Sequence, residues 1–171
     1  MQSSSTLALI GGTSLLDHPR FQGAQTLEVA TDYGVVTLLA RPGLLFLQRH
    51  GMGSYTPPHR INHHANLQAL KRAGATGVLA LGSVGSLQEA IRPGTFVLPD
   101  DFFAPQVNPT FFDDKRGHQT PGFDIPWRTR VFQAYNRLSP PGPPLRNGGV
   151  YWQTQGPRFE TPAEIRAHQG I

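Results

Sequence analysis

Apolar residues along this chain fall in short unbroken runs, each ending in a turn. Residues 7–10 (Leu-Ala-Leu-Ile), 44–47 (Leu-Leu-Phe-Leu) and 78–81 (Val-Leu-Ala-Leu) are four apolar positions in a row. Runs of that length bounded by glycine or polar residues predict buried core strands. Residues 26–30 and 35–40 flank Asp32-Tyr33-Gly34 and predict a hairpin. Residues 62–73 carry Asn62, Ala65, Leu67, Ala69 and Leu70 at helical spacing, and Gly74 stops that helix. A short strand over 96–99 follows the Pro93-Gly94 turn. Residues 104–126 read as a Pro-containing loop and 127–138 as an amphipathic helix. Residues 139–147 read as a Pro/Gly-rich connection and 150–154 as a last strand. Strands alternating with helices predict an α/β fold: one domain over 1–171, with a mixed, mostly parallel sheet flanked by helices.

Composition narrows the function classes. The 171 residues suffice for one domain with a real core, and the 19 glycines and 16 prolines fall at predicted turns. No cysteine is present, which excludes a disulfide scaffold and a thiolate-bound metal and fits a cytoplasmic protein. The seven histidines have no acidic residues at ligand spacing, so no metal site is expected. There is no run of eighteen apolar residues and no leader-like start, so neither a membrane partner nor secretion is expected. The formal charge of +4 is scattered with no basic block, which argues against a nucleic-acid partner and suits an anionic substrate.

Three turns follow the buried runs. Gly11-Gly12-Thr13 could wrap an anion with backbone N–H groups and the Thr13 hydroxyl, or could be an ordinary tight turn. Arg49-His50 ends the second run; its guanidinium fork matches a phosphate, or pairs with a carboxylate at the sheet edge. Gly82-Ser83-Val84-Gly85 ends the third, with Ser83 a possible donor or merely part of a glycine turn. Convergence at one sheet edge would make one site of them.

The close of the chain is more specific. Gly156-Pro157-Arg158-Phe159 breaks the last strand at a sharp corner. Thr161 then caps a helix, with Pro162 at its first position and Glu164 placed for a capping box. Arg158 is read as an ion-pair residue and Phe159 as either a ligand-facing or a core aromatic.

Together, Ile10-Gly11-Gly12-Thr13, Arg49-His50-Gly51, Ile61-Asn62-His63-His64-Ala65-Asn66, Gly82 to Leu87 and Thr154-Gln155-Gly156-Pro157-Arg158-Phe159-Glu160-Thr161 resemble the purine nucleoside phosphorylase and methylthioadenosine phosphorylase family. The variant with Thr154-Gln155 is most similar to the methylthioinosine phosphorylase branch. The resemblance implies phosphorolysis of the N-glycosidic bond of purine or 5′-methylthio-purine nucleosides, with phosphate as co-substrate and no cofactor. It implies phosphate binding by Thr13, Arg49, His50 and Ser83 and substrate binding by Phe159. The region of His118 would reach the sugar of a neighbouring subunit in a homotrimer. An interface is also suggested by Phe102, Phe103, Phe111, Phe112, Phe123 and Trp127, in or beside the 104–126 loop.

There are departures. Ser54 stands where relatives often have His, His63 replaces a Tyr, and Gly82 stands where methylthioadenosine phosphorylases often have Thr. The family's ribose-facing Gly-Met-Thr-like strand and purine-facing Asp have no counterpart in these residues. The resemblance therefore implies a C-terminally truncated chain with weak or absent turnover. The alternative is an impaired remnant that binds phosphate or only packs with a partner.

Overall fold

In the computed structural model the described residues are 5–12, 15, 18–106 and 109–169. They divide into two compact units, Met1–Ser83 and Val84–Ile171.

The first unit is a five-stranded mixed sheet carrying one helix. Its strands are β1 (Leu7–Gly11), β2 (Gln25–Thr31), β3 (Gly34–Arg41), β4 (Leu44–Gln48) and β5 (Gly77–Ala80), in the order β2-β3-β4-β1-β5. β2, β3 and β4 form an antiparallel meander, as the Asp32-Tyr33-Gly34 turn predicts, whereas β1 runs parallel to both β4 and β5. The register sets Ile10 opposite Leu47 and Ala80, so all three runs end at one edge.

Helix α1 (His63–Arg72) begins where the Asn62 side chain accepts a hydrogen bond from the Ala65 N–H (3.0 Å), an N-cap. Ala65, Ala69 and Leu70 lie on its buried stripe, against Val36, Leu38, Leu45 and Leu47. Polar bonds lock the helix to the β2–β3 turn: Gln68 exchanges two with Asp32 (2.7 and 2.8 Å), and Arg72 pairs with the same carboxylate at 2.8 Å. The Arg72 bond, then that of Gln68, holds the Asp32 carboxyl below its ordinary pKa.

β5 departs from the core-strand expectation. It is the sheet's edge in these residues, its positions alternate in burial, and Val78 is 39% exposed. Four apolar residues in a row do not reveal whether a strand has a neighbour on each side.

The second unit contains two parallel pairs, β6 (Phe96–Leu98) with β8 (Leu145–Asn147) and β7 (Asp101–Phe103) with β9 (Val150–Trp152). β8 lies inside the segment read as a Pro/Gly-rich connection. Helix α2 (Ile125–Asn136) is capped by Asp124, whose carboxylate accepts from the Trp127 N–H at 2.8 Å. From α2, Arg128 donates to the carbonyls of Leu98 and Pro99 at 2.9 and 2.8 Å. Helix α3 (Pro162–His168) carries the expected capping box between Thr161 and Glu164. Every fully buried apolar side chain among the described residues lies in the first unit.

Candidate anion site at the strand tips

The ends of β1, β4 and β5 meet through backbone bonds. Arg49 N–H donates to the Gly11 carbonyl (3.1 Å), and Leu81 N–H to that of Ile10 (2.8 Å). The Arg49 guanidinium then lies over the glycines of both neighbouring turns. A methyl group added at Gly12 would stand 3.7 Å from its Nη2, and one at Gly82 3.4 Å from its Nη1. Arg49, Gly12 and Gly82 are thus one constellation.

His50 holds the guanidinium by its inner edge. Thr56 offers a carbonyl 2.9 Å from His50 Nδ1, and a carbonyl only accepts, so Nδ1 carries the proton. Nε2 is then the acceptor for Arg49 Nε–H at 3.1 Å. The reciprocal bond from Thr56 N–H to the His50 carbonyl (2.6 Å) closes the loop. The turn requires glycine at position 51: φ is +91°, and a Cβ would lie 2.4 Å from the Ser54 carbonyl oxygen.

Arg49 has no carboxylate partner among the described residues. The sheet-edge ion pair left open by the sequence is therefore not formed with any described residue. Its outer nitrogens face two glycine turns, a charge and geometry suited to an oxyanion. Ser83, next to Gly82, is exposed. Thr13 lies outside the described residues.

An open cavity of about 300 Å³ adjoins Arg49. Thr37 of β3, Gln48 and Arg49 at the end of β4, Thr56, Arg60 and Asn66 of α1 contribute to its wall, and none of its lining residues is acidic. His63, at the start of α1, is held below the ordinary imidazole pKa by burial, then by charge interactions with His64 and Arg49. Gln48 escaped the reading by motif. It is 5% exposed, and its Nε2 has no hydrogen-bond partner among the described residues. Its only trace in the sequence is an amide closing an apolar run.

The remaining candidates lie in the second unit. Arg158 makes a two-pronged ion pair with Glu164, at 2.9 and 2.8 Å, as its ion-pair reading predicts. Phe159 is 93% exposed, so the core-aromatic alternative fails. His118 is exposed and closes the short 3-10 turn Lys115–Gly117. His168, at the end of α3, is half-buried and stacks on Trp152 at 3.5 Å between ring centres.

A family model described as the Phosphorylase superfamily matches residues 8–171. The chain is 36% identical over 163 residues to a probable 6-oxopurine nucleoside phosphorylase of Archaeoglobus fulgidus, covering 93% of this chain and 66% of that one. It is 38% identical over 177 residues to a probable S-methyl-5'-thioinosine phosphorylase of Xanthomonas campestris pv. campestris, covering 95% and 69%. The solved apo structure of methylthioadenosine phosphorylase from Schistosoma mansoni superposes with a TM-score of 0.78 at 29% identity, over 97% of this chain and 69% of that one. The chain spans about two thirds of the length of the curated relatives it matches. With 164 of its residues under one family model and the strand order that brings three turns together, the chain belongs to the phosphorylase superfamily.

Proposed function

We propose that this chain carries the phosphate-binding part of an enzyme that phosphorolyses purine or 5′-methylthio-purine nucleosides. The observation that carries the reading is Arg49: a cation without a carboxylate among the described residues, held by His50 and laid over Gly12 and Gly82. The names of the relatives agree on purine nucleosides as the substrate class.

In the proposed reaction a phosphate oxygen attacks C1′ of the ribose while the bond from C1′ to the purine nitrogen breaks. The purine leaves with the bonding electron pair and takes up a proton. The products are free base and ribose 1-phosphate, or its 5-methylthio analogue. Arg49 would fix the nucleophile by two parallel N–H···O bonds, which removes orientational freedom from the attack. His50 would keep the guanidinium from swinging away, and Thr13 and Ser83 would add hydroxyl or backbone donors. Phe159, exposed on its corner, is the residue proposed to contact the nucleoside, and His118 to approach its sugar. On this reading the enzyme is a cytoplasmic homotrimer of purine salvage that uses no metal or organic cofactor.

Phosphate-dependent release of base from methylthioadenosine, methylthioinosine and inosine tests the proposal. Release that requires phosphate and is lost in Arg49→Ala is expected. Phosphate binding without release from any of the three would favour the impaired remnant. Absence of phosphate binding would overturn the reading.

A further inference from the structure

The buried amide of Gln48 has a fixed orientation and an unused end. Gln48 is the last residue of β4, opposite Gly11 of β1 and adjacent in sequence to Arg49. Its Oε1 lies 3.4 Å from the His50 N–H, the only donor that the described residues offer it. Turning the amide over would set NH₂ against that N–H, so the oxygen belongs there and Nε2 points away from it. At 5% exposure Nε2 has little water to turn to, and it has no partner among the described residues. Buried donors are nearly always satisfied, and an orphan in a native site calls for a ligand. Gln48 also lines the cavity that it shares with Arg49, where no lining residue supplies a carboxylate acceptor. The missing partner is an acceptor, and the guanidinium next door demands an anion.

We infer that Gln48 is a further phosphate-binding residue, its Nε2–H donating to an oxygen of the anion held by Arg49. The inference rests on the phosphate reading above. It differs from it in assigning specificity as well as charge: Arg49 attracts any anion, whereas a fixed neutral donor selects one with an acceptor oxygen at that place.

The test is calorimetric titration of the full chain with inorganic phosphate, paired with thermal melts in the presence and absence of phosphate. Gln48→Met removes the donor at similar length. It should weaken phosphate about 10-fold, as expected for a hydrogen bond to a charged group, with the phosphate-free melting temperature unchanged or raised. Gln48→Glu keeps the shape but sets an acceptor against the anion, and should weaken phosphate further. If Met at this position prevents folding, the side-chain amide of Gln48 in the ¹⁵N-labelled unsubstituted chain decides: its N–H resonances should move on phosphate addition. Unchanged affinity in both variants, or amide signals indifferent to saturating phosphate, would overturn this inference alone. A purely structural Gln48 would lower the phosphate-free melting temperature and leave affinity untouched. No phosphate binding by the unsubstituted chain would overturn the phosphate reading and this inference together.

Discussion

Two arginines close two strands of this chain, and they end in opposite states. Arg49 follows β4 in the unit that holds, among the described residues, all the fully buried apolar side chains, and the side-chain bond it makes to a described residue is to His50. Arg158 follows β9 in a unit with no fully buried side chain among its described residues, and Glu164 engages both prongs of its fork. Arg158 is structural: it joins the corner to α3, where Glu164 also accepts from the Thr161 N–H at 2.7 Å. Arg49 is held in place by a group that leaves its charge unspent. The difference shows how one side chain can serve a scaffold or a site, depending on whether its partner is a carboxylate or an imidazole.

The sharpest way to break the contrast is to delete each cation in turn. Arg49→Ala should weaken phosphate binding by at least the ~1.5–3 kcal/mol typical of a charge-assisted bond. Arg158→Ala should leave phosphate affinity within about twofold, because its fork is already occupied. Calorimetry on the two variants reads both, and equal losses would erase the distinction. Arg49→Lys should fall between, since it keeps the charge but loses the Nε bond to His50.

A second prediction concerns what lies beneath the Arg49 tip. A Cβ at Gly11 would stand 2.7 Å from Cε2 of Phe46, which is fully buried and stacks on Phe21 with ring centres 4.2 Å apart. Gly11→Ala should therefore destabilise the chain by about 1–3 kcal/mol through overpacking, measured by urea unfolding. The Arg158 corner, tied by local polar bonds, offers no comparable lever. A neutral Gly11→Ala would show that the tip can relax away from the core.

These features differed in how far the sequence disclosed them. The three apolar runs and their glycines foretold the meeting of tips, because a four-residue run ending in a turn has few ways to sit in a sheet. Asn62 at the start of α1 and Thr161 with Glu164 at the start of α3 were legible for the same reason: capping is local, set within three residues. Whether Arg49 or Arg158 would find a carboxylate was legible only for Arg158, whose partner lies six residues away. β7 and β8 leave little trace in the sequence, since three-residue strands gain their identity from partners 49 residues distant. The orphan amide of Gln48 is a property of packing, and no motif announces it.

The third prediction sharpens the corner. The Arg158 bond, then that of the Thr161 backbone, lowers the Glu164 pKa from 4.5 to about 2. The unfolded chain takes up this proton first as pH falls. The contribution of the corner is thus fully present above about pH 4.5 and is lost as pH approaches about 2. In Arg158→Ala the Glu164 carboxyl should titrate closer to its ordinary value, observed by NMR of the side-chain carboxyl. An unmoved titration would mean that the Thr161 N–H alone holds the carboxylate.

The smallest effect separates the two arginines without deleting either, through His63. Burial opposes its imidazolium first, and charge interactions with His64 and Arg49 add to this, so it stays neutral below the usual imidazole range. The unfolded chain then binds this proton before the folded chain does, and stability declines as pH falls through that range, ceasing to decline once folded His63 is itself protonated. A phosphate on Arg49 would offset the guanidinium charge and raise the His63 pKa, and by linkage the anion and the proton would favour each other's binding. Removing Arg49 should also raise it, whereas removing Arg158 should do nothing. Proton NMR of the His63 ring across a pH titration, with and without phosphate, measures all four states. A His63 titration indifferent to saturating phosphate would place the bound anion away from Arg49 and the start of α1, and would move the anion site off the strand tips.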